Sequence, residues 1–135
     1  MEWLGPCSLC FEEIDRVPSG ALGVYSLHVF DRRAGSYPVL YIGQTTDLQR
    51  RLREHCDGAG MVPIVAVARR FQPIYFSILP LADAYMLSPA ESTLVRLLRP
   101  PGNKQVPTAR PMLVPAPPII TPFSRLRISQ PTWRS

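Results

Sequence analysis

At 135 residues, 46% hydrophobic and 19% charged, the chain has room for one domain with an ordinary core plus a tail. No apolar run reaches 18 residues, which argues against a membrane-spanning helix, and an odd count of three cysteines argues against a disulfide framework. The formal charge of +5 is unevenly placed: residues 1–103 hold ten arginines and ten acidic side chains, whereas 104–135 hold Lys104, Arg110, Arg125, Arg127 and Arg134 and no acid. A neutral body with a basic arm suits a polyanionic partner, although such an arm also serves as a solubilising extension. Glu2 with no basic stretch around it predicts no secretory leader, and the cysteine count predicts a reducing, cytoplasmic setting.

Residues 1–18 form an N-terminal segment without a clear period. Trp3, Leu4, Phe11 and Ile14 are apolar enough to pack on the domain, and Glu12, Glu13 and Asp15 are the candidates to face solvent. Cys7-x-x-Cys10 would need two more ligands to hold zinc. Only His28, His55 and Cys56 remain, and with no second such pair the cysteines are expected to be free thiols, partly buried.

A Val17-Pro18-Ser19-Gly20 turn leads into a predicted strand over about 21–30, and Pro38 opens a second over about 38–43. Alternation places Tyr25, Leu27 and Val29 on one face of the first, and Val39, Tyr41 and Gly43 on one face of the second. The Asp31–Ser36 loop makes the pair a hairpin, with the two tyrosines side by side if the register agrees. A helix should follow from a Thr46-x-x-Gln49 capping box and end near Asp57-Gly58. Arg51 and His55, four apart, share one of its faces, while Leu48 and Leu52 anchor the next face to the sheet. Met61–Phe71, with Pro63 in the first turn, is apolar nearly all round and predicts a buried packing helix. Residues 73–79 predict a third strand, ended by Pro80. Ser88 as N-cap, Pro89 as first helical residue and Glu91 as the box partner open a last helix, which runs to about Arg99 before Pro100-Pro101-Gly102. From Lys104 onward seven of 32 residues are proline, which predicts extended chain on the surface or disorder. Met112-Leu113-Val114 and Pro118-Ile119-Ile120 could dock a protein partner there.

Gly23-Val24-Tyr25 and Tyr41-Ile42-Gly43, with Arg51 ten residues after Tyr41, His55 four later, then Glu91 and Asn103, occur in order. This constellation, over about residues 20–105, resembles the GIY-YIG nuclease domain, with a longer loop between the two motifs than is usual. The resemblance implies an α+β fold: a small, three-stranded, mostly antiparallel sheet flanked by helices. The expected division is an N-terminal segment 1–18, a nuclease-like domain 19–105 and a basic proline-rich tail 106–135.

It further implies a DNA endonuclease dependent on Mg2+ or Mn2+, with Glu91 binding the metal and Arg51 stabilising phosphate charge. Tyr25 and Tyr41 would hold the water and phosphate, Tyr25 as favoured base with help from His55, and Asn103 would shape the pocket. Gly43 would leave room for a ligand to approach the backbone. Arg50, Arg53, Lys104 and Arg110 are the candidates for nucleic-acid contact. The residues alone also allow plainer readings: a cross-strand tyrosine pair, an Arg51–Asp47 ion pair, a surface His55 near the helix end and a turn-forming Asn103. Glu91 is the most telling, because Leu94, Val95 and Leu98 at +3, +4 and +7 put it on the apolar stripe, where an unpaired carboxylate is costly. A catalytically inactive nucleic-acid-binding module with the same fold is the alternative.

Overall fold

The computed structural model describes residues 1–105 and 109–118. The strands β1 (Leu4–Ser8), β2 (Gly23–His28), β3 (Val39–Thr45) and β4 (Tyr75–Pro80) form one sheet in the order β1-β4-β2-β3, antiparallel throughout. The fold is α+β, but the sheet has four strands where the sequence predicted three. The additional strand β1 escaped notice because Gly5 and Pro6 interrupt it and its register slips between Leu4 and Cys7. Proline is tolerated at a sheet edge, where its missing N–H breaks no ladder. Gly5 is obligatory: at φ +122° an added Cβ would lie 2.8 Å from the Phe76 carbonyl oxygen.

Every residue of the central β2 is buried, because helices cover both faces of the sheet. On one face Tyr25, Leu27, Phe76 and Ile78 pack under Leu48 and Leu52 of α2 (Leu48–Cys56), Val65 of α3 (Pro63–Arg69) and Ile14 of the short α1 (Phe11–Ile14). On the other, Val24, Ile42 and Leu79 pack under Leu87, Ala90, Leu94 and Val95 of α4 (Leu87–Leu98), joined by Trp3. The Asp31–Ser36 tip closes as a hairpin, with the Asp31 N–H donating to Ser36 O at 2.8 Å and Asp31 Oδ1 accepting the Arg33 N–H at 3.0 Å.

Local details depart from expectation in four places. Asp47, rather than Thr46, caps α2: its Oδ1 accepts the Arg50 N–H at 3.1 Å, and Thr45 Oγ1 fixes Asp47 by accepting its N–H at 3.0 Å. Gln49 instead donates to the Val17 carbonyl at 2.9 Å. The helix α3 is not buried all round; Val65 alone is buried, while Ile64, Val67 and the following Phe71 are exposed, Phe71 by 81%. A 3-10 turn at Ala84–Met86 runs straight into α4, so Ser88 is the second helical residue and not the cap. The end of α4 is Arg99 in the left-handed region at φ +46°.

Ser92 of α4 is fully buried, and the segment 109–118 lies over it. Ser92 Oγ donates to Ala109 O at 3.3 Å, the Met112 N–H to Thr93 Oγ1 at 3.0 Å, and Trp3 Nε1 to Pro115 O at 2.7 Å. Met112 and Val114 pack onto the core beneath and are not free docking residues; Leu113 points outward, 93% exposed. Ile119, Ile120, Arg125, Arg127 and Arg134 lie outside the described residues. Among the described residues no helix is long and apolar enough to cross a membrane.

Candidate active site

Sheet register decides where the tyrosines stand. Tyr25 is opposite Gly43, and Tyr41 is opposite Leu27, so the two phenols are diagonal neighbours on one face with ring centroids 6.1 Å apart. The Tyr25 ring lies flat across Gly43, where an added Cβ would sit 2.4 Å from both Cζ and Oη. Gly43 therefore seats the Tyr25 ring, and the space expected to admit a ligand is already filled.

The helix α2 brings Arg51 and His55 onto that ring. Tyr25 Oη is 2.9 Å from His55 Nε2 and accepts the Arg51 Nε–H at 3.3 Å. Arg51 is held at its other two nitrogens as well. Nη1 donates to Glu54 Oε1 at 3.0 Å, replacing the Asp47 partner that i,i+4 spacing suggested, and Nη2 donates to Gly60 O at 3.4 Å. Burial, then the Tyr41 charge, push the Tyr25 phenol well above its ordinary value, against the opposing pull of Arg51. Burial and the Arg51 guanidinium push His55 down to about 4, so its ring is neutral at physiological pH. His55 is fully buried, not a surface residue, and among the described residues its Nδ1 has no hydrogen-bond partner.

Tyr41 is half-buried and joins this cluster to α4. Its ring centroid is 6.1 Å from that of Tyr25 and 6.2 Å from that of His55, and burial, then the Glu91 carboxylate, raise its pKa while Arg51 lowers it. Glu91 is half-buried, and one of its oxygens accepts the Gln44 Nε2–H at 3.2 Å. The same Gln44 nitrogen lies 3.2 Å from Ser88 Oγ, tying β3 to the first turn of α4. Desolvation raises the Glu91 carboxyl, with the Gln44 hydrogen bond opposing. Among the described residues no cation lies within ion-pair distance of that carboxylate.

Asn103 behaves differently from expectation. Its Oδ1 accepts the Ile42 N–H at 2.9 Å and its Nδ2 donates to Ile42 O at 2.8 Å, while the Gly102 N–H donates to Leu40 O at 2.7 Å. The amide thus mimics a neighbouring strand along the open edge of β3, and here it points at backbone rather than into a pocket. Of the candidate DNA contacts, Arg53 is paired with Asp15 at 2.6 Å and Arg50 lies 4.0 Å from both Asp47 and Glu54. Lys104 and Arg110 are exposed. Cys7 is a buried free thiol pushed up to about 12 by burial, and Cys56 Sγ lies 3.8 Å from Leu9 O. Among the described residues no three His, Cys, Asp or Glu side chains gather as a metal-binding group.

With this geometry in hand, comparison with known families is decisive. A family model for the GIY-YIG catalytic domain matches residues 29–101, just over half of the chain. The chain belongs to that family. The match spans Tyr41, Arg51, His55 and Glu91; Tyr25 and Asn103 fall just outside it. Among solved structures, this GIY-YIG domain is similar to the GIY-YIG N-terminal endonuclease domain of UvrC from Thermotoga maritima, in point mutants described as bound to the catalytic divalent cation. Identity is 16% and 17% for two of them, each with a TM-score of 0.49 and covering 70% of this chain and 96% of the other. No curated protein matches the chain.

Three participants in this GIY-YIG domain escaped the sequence reading. Gln44 follows Gly43 and faces α4 by strand alternation, the one signal that could have pointed to it. Glu54 sits at i,i+3 from Arg51, an ordinary helix pairing distance. Gly60 contributes a carbonyl, which no side-chain pattern announces.

Proposed function

We propose that this chain is a divalent-cation-dependent endonuclease that hydrolyses DNA phosphodiester bonds. The observation that carries the reading is the cluster on one sheet face, in which Tyr25 Oη meets His55 Nε2 at 2.9 Å and Arg51 Nε at 3.3 Å with the partly buried Tyr41 ring 6.1 Å away. Glu91 fits a cation: it is partly desolvated, hydrogen-bonded on one oxygen and without an ion-pair partner among the described residues. One carboxylate suffices for Mg2+ or Mn2+, which keep several waters and take further oxygens from a phosphate. Bound there, such an ion supplies positive charge for the phosphate and the leaving oxygen.

The chain's own residues would do the rest. Arg51, held at all three nitrogens, offers its outward edge to the phosphate without losing orientation. Tyr25 is 1% exposed and His55 fully buried, so Tyr41, the less buried of the two tyrosines, takes the proton from the attacking water, the part the resemblance gave to Tyr25. The Tyr41 proton passes to Tyr25 Oη, and the Tyr25 proton to His55 Nε2, 2.9 Å away. An anionic phosphate beside Arg51 cancels the guanidinium charge that depresses His55, and so raises its proton affinity when substrate is bound.

The test is nicking of supercoiled plasmid with Mg2+ or Mn2+. Glu91→Gln, Arg51→Ala and Tyr25→Phe should each lose most of the activity while the chain stays folded by circular dichroism. Full activity in both Glu91→Gln and Arg51→Ala defeats the proposal. The closure of Tyr25 and His55 from solvent also suits an inactive DNA-binding module, and that reading predicts DNA binding with no nicking under any divalent ion.

A further inference from the structure

One side chain of β3 reaches two residues of α4. Gln44 Nε2 donates to Glu91 Oε1 at 3.2 Å and to Ser88 Oγ at 3.2 Å, one amide hydrogen for each acceptor. Ser88 and Glu91 are three apart on α4 and share one side of it, so a single side chain can serve both. Gln44 follows Gly43 in an edge strand, and alternation sends it to the face opposite the Tyr25 ring, where Ile42 meets α4. The helix does not need this amide to stay in place: Val24, Ile42 and Leu79 already pack under Leu87, Ala90, Leu94 and Val95. What the amide fixes is the carboxylate. The last torsion of a glutamate is broad, and holding one oxygen sets the plane of the group and aims the other. Among the described residues neither Glu91 oxygen has an ion-pair partner.

We propose that Gln44 is a positioning residue for the divalent cation: its amide holds Glu91 Oε1 so that Oε2 is presented to the ion, and Ser88 Oγ steadies the amide through its other hydrogen. The inference rests on the cation reading of Glu91 above and adds a second side chain to it. A site with one protein carboxylate fills its remaining positions with water and phosphate oxygens, so its affinity depends on how well that one group is oriented. Hydrogen-bond partners of metal ligands contribute about 10- to 100-fold in metal affinity. Gln44 is also a neutral donor, and leaves the whole carboxylate charge for the ion.

The experiment is calorimetric titration of Mn2+ into the full chain, with circular dichroism of each variant. Gln44→Met keeps the length of the side chain and removes the donor. It should weaken Mn2+ binding about 10- to 100-fold and retain the parent spectrum. Ser88→Ala loosens the amide alone and should weaken binding about threefold. Plasmid nicking over a Mn2+ series gives a second readout. In Gln44→Met the half-saturating Mn2+ concentration should rise by the same factor as the dissociation constant, with the rate recovering when the ion is in excess. Damage to the fold would instead lower the rate at every Mn2+ concentration. Parental Mn2+ affinity in Gln44→Met overturns the proposal, and so does a slower rate with no change in the Mn2+ requirement. If Gln44→Met does not fold, Ser88→Ala decides, and parental affinity there overturns the proposal. A parent that nicks plasmid beside a Gln44→Met chain of equal Mn2+ affinity sinks this inference alone. Gln44-dependent Mn2+ binding with no nicking sinks the nuclease reading alone, and a parent that takes up no Mn2+ sinks both.

Discussion

Replacing Gly43 by alanine inserts one methyl group where the Tyr25 ring now lies. The new carbon would stand 2.4 Å from Tyr25 Cζ and Oη, about 1 Å inside ordinary contact, and the tyrosine must move because Gly43 is fixed in the β2–β3 ladder. A shift of that size breaks the 2.9 Å approach to His55 Nε2 and the 3.3 Å bond from Arg51. Overpacking costs about 1–3 kcal/mol, and each of the two lost hydrogen bonds about 0.5–1.5 kcal/mol, so urea unfolding should register a loss of about 2–6 kcal/mol. Nicking should fall about 100-fold or more, the usual contribution of a positioned proton-transfer group. The two readouts are separable, because Tyr25→Phe removes the hydroxyl but keeps the ring: it should cost little more than its hydrogen bonds and yet lose as much activity. A Gly43→Ala protein with parental stability and parental nicking would show that Tyr25 does not occupy this place.

His28 gives a prediction in pH. It is fully buried between Ser26 Oγ at 2.7 Å and Tyr37 O at 2.9 Å, and burial lowers it to about 4. A depressed histidine stabilises the fold fully above its unfolded value near 6.5, and that contribution drains as pH falls from 6.5 toward 4. Between pH 8 and pH 5 the parent should lose about 2 kcal/mol through this residue in urea titrations; a His28→Gln protein with the same pH slope would refute the assignment. Asn103→Ala exposes two backbone groups of β3 and should cost about 1–3 kcal/mol, read by thermal melting; an unchanged midpoint would contradict the bidentate contact. Glu91→Gln should abolish Mn2+ binding measured by calorimetry on the free chain, and heat of binding identical to the parent would remove Glu91 as a ligand.

The parts of the site readable beforehand are those governed by short-range geometry. Period-two alternation placed Tyr25 and Tyr41 on one face, four-residue spacing aligned Arg51 with His55, and the apolar stripe through Leu94 and Val95 set Glu91 toward the interior. What stayed hidden depends on distant partners. Gln44 matters through a residue 47 positions away, and Asn103 through one 61 positions away. The exposure of α3 was invisible because an apolar composition does not say which sides a neighbour covers, and Val65 alone faces the core. Ser92 reads as solvent-facing until the returning chain is laid over it. Choosing Thr46 over Asp47 as cap was a one-residue contest between two good acceptors, settled by the Thr45 hydroxyl.

The indole of Trp3 grips a carbonyl 112 positions further along the chain. The first residues of this GIY-YIG family member are thereby tied to the segment 109–118 that lies over α4. Clipping the opening residues, or crowding them with a bulky fusion, would slacken Pro115 and with it the cover over Ser92. The choice of which end bears an affinity handle is therefore a biochemical variable for this protein.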